Sequence, residues 1–197
     1  MEITLQLGRQ DFLSHPKRDE MTLLEAAREM DKNALMEIFD LYSSAIYAYA
    51  FRLCHDARQA DSIVGDVFAK LLDQFSAGHG PNTNLRSYLY EMTYHLVVDQ
   101  ARYGDRVLPF EVMDLIHYDG YAHMVNLENK ILYETILLAI RNKLTKDQRH
   151  VIVLRFLEGF SLRETADIIG KEVGYVKVIQ NRAIATLRKA LENRVVE

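Results

Sequence analysis

Ser161-Leu162-Arg163-Glu164-Thr165-Ala166-Asp167-Ile168-Ile169-Gly170-Lys171-Glu172-Val173-Gly174-Tyr175-Val176-Lys177 is the stretch on which the reading of this chain turns. Ser161 and Glu164 have the spacing of a capping box, in which each side chain meets the other's backbone amide and opens a helix. That helix has room for only about two turns before Gly170, a residue suited to the left-handed position that ends a helix. After a tight turn, Val176, Ile179, Ala183, Leu187 and Leu191 recur at helical spacing. A longer helix therefore turns these residues inward and leaves Tyr175, Lys177, Asn181 and Arg182 to face out. A short helix bracing a longer one across a tight turn is helix-turn-helix grammar, and the second helix fits the width of a DNA major groove.

Upstream, helical periodicity begins near Leu127, and Thr145-x-x-Gln148 is a second capping box ahead of Val151, Ile152, Leu154 and Phe156. The charge of this part supports a nucleic-acid role. From Arg141 onward twelve Lys and Arg stand against seven Asp and Glu, a balance of +5, although the whole chain carries −4. The remainder is left with −9, so a basic carboxy-terminal module follows an acidic partner.

The acidic part is helical too. Thr22-x-x-Glu25 reads as a capping box opening a short helix, and Leu35, Ile38, Phe39, Tyr42, Ile46, Tyr49, Ala50 and Leu53 form a stripe after Asn33. A second stripe of Ala60, Ile63, Val64, Val67, Phe68, Leu71, Leu72 and Phe75 follows the capping residue Asp56 and has a polar opposite face. Ala77-Gly78-His79-Gly80-Pro81-Asn82 reads as a loop, and Asn84 as the cap of a helix running to about Arg102. Between residues 103 and 126 the pattern dissolves, with Gly104, Pro109 and Gly120 and four carboxylates against Arg106 alone. The expected architecture is thus all-α: an amino-terminal extension (1–20), a helical domain (21–102), a flexible acidic linker (103–126) and a second helical domain with the helix-turn-helix (127–197).

Composition narrows the function. With 197 residues and 49% hydrophobic content, the chain can bury one large or two small cores. The run Ile136 to Ile140 is far short of the ~20 apolar residues of a membrane span, and residues 1–20 lack the apolar segment of a signal peptide. A cytoplasmic location is expected. Cys54, the single cysteine, excludes an internal disulfide and reads as a small buried hydrophobe. Phosphate-loop, zinc-protease and serine-hydrolase motifs are absent, so neither catalytic residues nor a cofactor are expected. His117-x-Asp119 with His123 is the one constellation to consider for a metal, and it reads as surface groups in the linker.

Taken together, the segments resemble a bacterial RNA polymerase sigma factor of the extracytoplasmic-function (ECF) type. Ala60 to Phe68 is similar to the family's A-E-D-L-V-Q-E-V-F helix, and Leu85-Arg86-Ser87-Tyr88-Leu89 with Asp99 and Arg102 to its R-x-W-L and D-x-x-R elements. Leu144 to Ser161 is similar to L-P-x-x-q-R through G-x-S, and Glu164 to Gly170 and Gly174 to Lys177 continue in register. Gly65 stands where the family has glutamine, Tyr88 where it has tryptophan, and His95 where it has asparagine.

The resemblance implies a non-enzymatic initiation factor that binds core RNA polymerase, directs it to promoters and assists DNA melting. It places polymerase docking at Asp61, Ser62, Gly65, Asp66 and Ala69, where carboxylates suit pairing with arginines on a partner. It places minus-ten contacts at Asn82, Asn84, Arg86, Tyr90, Tyr94 and His95, where an unstacked base needs a shaped pocket and flat groups. Tyr88 and Tyr94 read equally well as core residues. Minus-thirty-five readout falls to Tyr175, Lys177, Gln180, Asn181 and Arg182, with Arg163, Arg188 and Lys189 on phosphates. Ile179 replaces a base common in relatives, and its spacing suggests packing. The linker implies a transcript mimic in the polymerase channel, and family habit implies control by an anti-sigma protein. The alternative is a self-sufficient helix-turn-helix regulator whose first domain dimerises or senses a ligand.

Overall fold

The computed structural model describes residues 18–101 and 127–192, which form two compact, entirely helical units. The first contains α1 (Glu20–Arg28), α2 (Lys32–Cys54), α3 (Ala57–Ser76) and α4 (Leu85–Ala101). Helices α2, α3 and α4 pack pairwise against one another, and α1 lies against α2 and α3. The core is rich in aromatic rings: Tyr49, Tyr90, Phe51 and Phe75 are each fully buried, and Tyr49 and Tyr90 meet with ring centroids 5.0 Å apart. Burying one such side chain contributes roughly 1.5–3 kcal/mol.

Asp19 opens α1, accepting from the Thr22 amide at 3.0 Å and the Thr22 hydroxyl at 2.6 Å. These bonds hold its carboxyl below the usual range. The start expected at Thr22 is therefore three residues late: Thr22 is the partner of the cap, and Glu20 already belongs to the helix. Helix α1 ends in a Schellman motif with Met30 at φ 61, Asp31 N–H donating to Ala26 O and Met30 N–H to Ala27 O. Asp31 then caps α2 through the Ala34 amide at 2.8 Å, so two helices join within three residues. Asp56 caps α3 as expected, through the Gln59 amide.

Two stripe residues depart from expectation. Phe39 is 45% exposed and meets Phe68 in a tilted ring contact at 4.8 Å, and Leu72 is 39% exposed on the outer side of α3. Cys54 donates to Asp56 O at 3.4 Å, and burial pushes its thiol up to about 11. A thiol so placed stays protonated at neutral pH, in line with the structural role expected of it.

The second unit contains α5 (Leu127–Lys143), α6 (Lys146–Ile152) running into a π-helical turn (Val153–Leu157), α7 (Leu162–Ile168) and α8 (Val173–Glu192). Helices α5, α6 and α7 all pack on α8. Both expected capping boxes form, Thr145 with Gln148 and Ser161 with Glu164, each with both reciprocal bonds. In the π turn, Glu158 N–H reaches back five residues to Val153 O at 2.9 Å. The surplus residue re-phases the chain here, where Phe156 is 40% exposed and Phe160 fills the core. Val151, Ile152, Val153 and Leu154 are buried in succession. His150 is buried beside them, and burial lowers its pKa to about 4, leaving a neutral ring.

No helix among the described residues is long and apolar enough to cross a membrane. The acidic linker with His117, Asp119 and His123, together with Arg102 and residues 1–17, lies outside the described residues.

Candidate functional site

Helix α3 divides by face. Ala60, Ile63, Val67, Leu71 and Phe75 are buried, whereas Asp61, Ser62, Gly65, Asp66 and Ala69 are all exposed. The five residues expected to dock the polymerase thus share one solvent-facing side of a single helix, with Leu72 continuing it. A Cβ at Gly65 would meet nothing within 4 Å, so close packing does not require this glycine. Leu72, Phe39 and Met36 add exposed apolar area on α2 and α3 that periodicity had assigned inward or left unread.

The loop after α3 follows a constrained path. Gly78 is at φ 73, Gly80 at φ 104 and Asn84 at φ 56, three left-handed residues within seven. A Cβ on Gly80 would come within 3.0 Å of the Phe75 ring, and Pro81 is buried. Asn82 and Asn84 are exposed. Two residues of α1 secure this loop. Arg28 Nη2 donates to Gly80 O at 3.2 Å, to Pro81 O at 2.8 Å and to Asn82 Oδ1. Glu20 Oε1 accepts from Leu85 N–H, the first amide of α4, at 2.8 Å. Neither residue had been assigned a role from the sequence, because these bonds join segments 52 to 65 residues apart.

On α4 the expected minus-ten set splits. Tyr90 is 1% exposed and packed on Tyr49, so it is a core residue with no face for a base, and its selection as a contact is corrected. Helical spacing alone does not separate it from its neighbours, since Arg86 lies one turn before it with the guanidinium 5.4 Å above its ring. His95 is exposed, 3.9 Å from Glu91, and Tyr94 meets its ring edge-on at 5.4 Å. His95 also lines a groove of about 390 Å³ between α3 and α4 with Lys70, Asp73, Gln74, Tyr88 and Met92. Partial burial there raises the Tyr88 hydroxyl pKa.

In the second unit Gly170 takes φ 61, and Lys171 N–H to Ala166 O with Gly170 N–H to Asp167 O completes a Schellman motif. The turn delivers α8 with Val176 and Ala183 buried and Lys177, Asn181, Arg182, Arg188 and Lys189 exposed, as is Arg163 on α7. Ile179 is half-buried, in keeping with packing. Two expected readers have internal ties. The Tyr175 hydroxyl donates to Asp147 Oδ2 at 2.8 Å, and Gln180 Oε1 accepts from Arg155 Nε at 2.9 Å. Arg155 also donates to Phe160 O, which links the π turn to the recognition helix. Val178, between Lys177 and Asn181, is 47% exposed, and its apolar side chain carries no polar signal in the sequence. An apolar side chain there suits a thymine methyl.

Known proteins share these features. Residues 38–107 match the family model for sigma-70 region 2, and residues 142–189 that for sigma-70 region 4, together more than half of the chain. The ECF RNA polymerase sigma factor BldN of Streptomyces coelicolor is 27% identical over 87% of this chain, which spans 65% of that protein's length. The ECF sigma factor SigX of Bacillus subtilis is 24% identical over 79% of the chain and 82% of its own length. Among solved structures, the sigma factor RpoE of Bartonella quintana, crystallised with the anti-sigma factor NepR, is similar at a TM-score of 0.61 and 25% identity. That match covers 80% of this chain and 96% of the other. Two exposed helical surfaces, two region models in the sigma order and likeness to ECF proteins over most of the chain converge: the chain belongs to the sigma-70 family of bacterial RNA polymerase sigma factors, as a member of its ECF type.

Proposed function

We propose that this protein, a transcription initiation factor by family and not an enzyme, divides its work between the two helical units. The outer face of α3, with Asp61, Ser62, Gly65, Asp66 and Ala69, docks on core RNA polymerase. The loop 77–84 with Asn82 and Asn84, and Arg86, Tyr94 and His95 on α4, handle the minus-ten element, while Tyr90 supports them from the core. Lys177, Asn181 and Arg182 on α8 read the minus-thirty-five element, with Tyr175 and Gln180 bracing the helix and Arg163, Arg188 and Lys189 meeting phosphates. Residues 21–102 and 127–197 are the two functional modules, and 103–126 is an acidic linker that mimics nucleic acid in the polymerase channel. An anti-sigma protein is the expected regulator, as NepR is a partner of the similar RpoE.

The observation that carries this reading is the outward face of α8, where Lys177, Asn181 and Arg182 are all exposed while Val176 and Ala183 anchor the helix from behind. The test is reconstitution with core polymerase on a promoter library. Association and directed initiation are expected, and their joint absence overturns the reading. Substituting Lys177 and Arg182 by alanine should weaken use of the upstream element and leave core association intact. Each lost phosphate contact lowers the salt dependence by about one unit of slope, whereas a lost base contact relaxes sequence preference at one position.

A further inference from the structure

We infer that α1 is a positioning element for minus-ten recognition, with Arg28 and Glu20 setting the shape of loop 77–84 and the orientation of the Asn82 carboxamide. The inference rests on the proposed role of that loop. The segment, with left-handed residues at 78, 80 and 84, has short-range bonds of its own at its two ends, where the His79 amide closes α3 on Gln74 O and Asn84 O accepts from the Tyr88 amide. The part between them, with Gly80, Pro81 and Asn82, is held by α1. One guanidinium nitrogen gathers Gly80 O, Pro81 O and Asn82 Oδ1, and one carboxylate seats the first amide of α4. The two ties come from the opposite ends of a nine-residue helix, so α1 spans the loop from its middle to its exit.

The chemistry of the contact has a consequence for base preference. A guanidinium has donors only, so it must face the carbonyl oxygen of Asn82 and turn the NH2 group away. Asn82 is exposed, and this NH2 is what it offers outward. A free asparagine pairs bidentately with adenine by giving one hydrogen bond and accepting another. With its oxygen engaged by Arg28, Asn82 favours a base edge that presents acceptors. Arg28 is also placed at a cost, since its Nε is buried with no partner. Such a group is expensive for stability alone, which fits a residue kept for where it puts the loop.

The experiment uses full-length protein in holoenzyme with a promoter library randomised at the minus-ten element. Its readouts are base preference at each position, minus-thirty-five preference and core affinity. Arg28→Ala and Glu20→Ala are expected to flatten minus-ten preference by about tenfold, the equivalent of one charge-assisted hydrogen bond, with core affinity and minus-thirty-five preference unchanged. Glu20→Gln keeps the acceptor oxygen for Leu85 N–H and should restore the wild-type profile, which a general loss of stability would not do. Asn82→Asp keeps the acceptor for Arg28 but removes the outward donors, and should lose preference as fully as Asn82→Ala. If Arg28→Ala destabilises the unit, the Glu20→Ala and Glu20→Gln pair decides. A wild-type minus-ten preference that survives Arg28→Ala and Glu20→Ala overturns this inference alone. A wild-type holoenzyme indifferent to the minus-ten sequence overturns the functional reading of the loop, and this inference with it.

Discussion

In the second unit the brace helix α7 is fixed by bonds that span three residues, Ser161 with Glu164, whereas in the first unit loop 77–84 is fixed by bonds that span 52 to 65. The two arrangements fail differently. A local cap stabilises one helix end and its loss is felt by the helix that carries it. A long-range tie closes a large loop at modest extra entropic cost, and its loss frees a surface segment while the helices beneath stay packed. Helix α8 of the second unit is thus as firm as its own fold, and loop 77–84 of the first is as firm as its attachment to α1.

The largest effect expected from this contrast is on pH. The pKa of His150 falls from 6.5 to about 4 through burial, so the unfolded chain holds the proton more tightly than the folded one. Stability of the second unit is therefore complete above the unfolded value of 6.5 and declines as pH drops toward about 4, by about 3 kcal/mol in all. Urea unfolding followed by circular dichroism should show this acid slope, and His150→Gln should remove its share. An unchanged slope in the variant would show that the ring is not held neutral.

A matched pair of glycines sharpens the comparison. A Cβ would find open space at both Gly170 and Gly65, so backbone conformation alone decides the outcome. At Gly170, φ 61 makes alanine unfavourable by about 1–2 kcal/mol, lowering the unfolding midpoint of the second unit and weakening upstream-element use together. Ser161→Ala removes one half of a capping box at the other end of α7 and should cost about 1 kcal/mol, with the same signature. The smallest effect has the opposite sign. Gly65 lies inside α3, where alanine should raise the midpoint of the first unit by about 0.5–1 kcal/mol in the same urea experiment. Any loss of core association in that variant would then report on the docking face itself.

The capping boxes at Thr145 and Ser161, Gly170 and the stripes of α3 and α8 were legible because their physics is contained within one or two helical turns of sequence, whereas the box expected at Thr22 gave way to Asp19 three residues earlier. The same rule explains the failures. Tyr90 and Tyr94 sit four apart on α4, and only the arrival of Tyr49 from α2 buries the first of them. The π turn at Val153–Leu157, next to which Phe156 is exposed and Phe160 buried, leaves no signature in apolar spacing. Arg28 and Glu20 read as ordinary charged residues of a first helix, and nothing nearby in the chain points to the loop they hold.

That wide turn at Val153–Leu157 acts as a gearing between the front of the second unit and α8. Each residue of helix advances the side-chain direction by about 100°, so one extra residue sets the angle at which Arg155 meets Gln180 on α8. The turn thus acts on α8 through the Arg155–Gln180 bond, beside the packing of Val176 and Ala183 that holds the helix from behind. Deleting one residue here would swing Arg155 about 100° away from Gln180 and break the bond that joins the turn to α8.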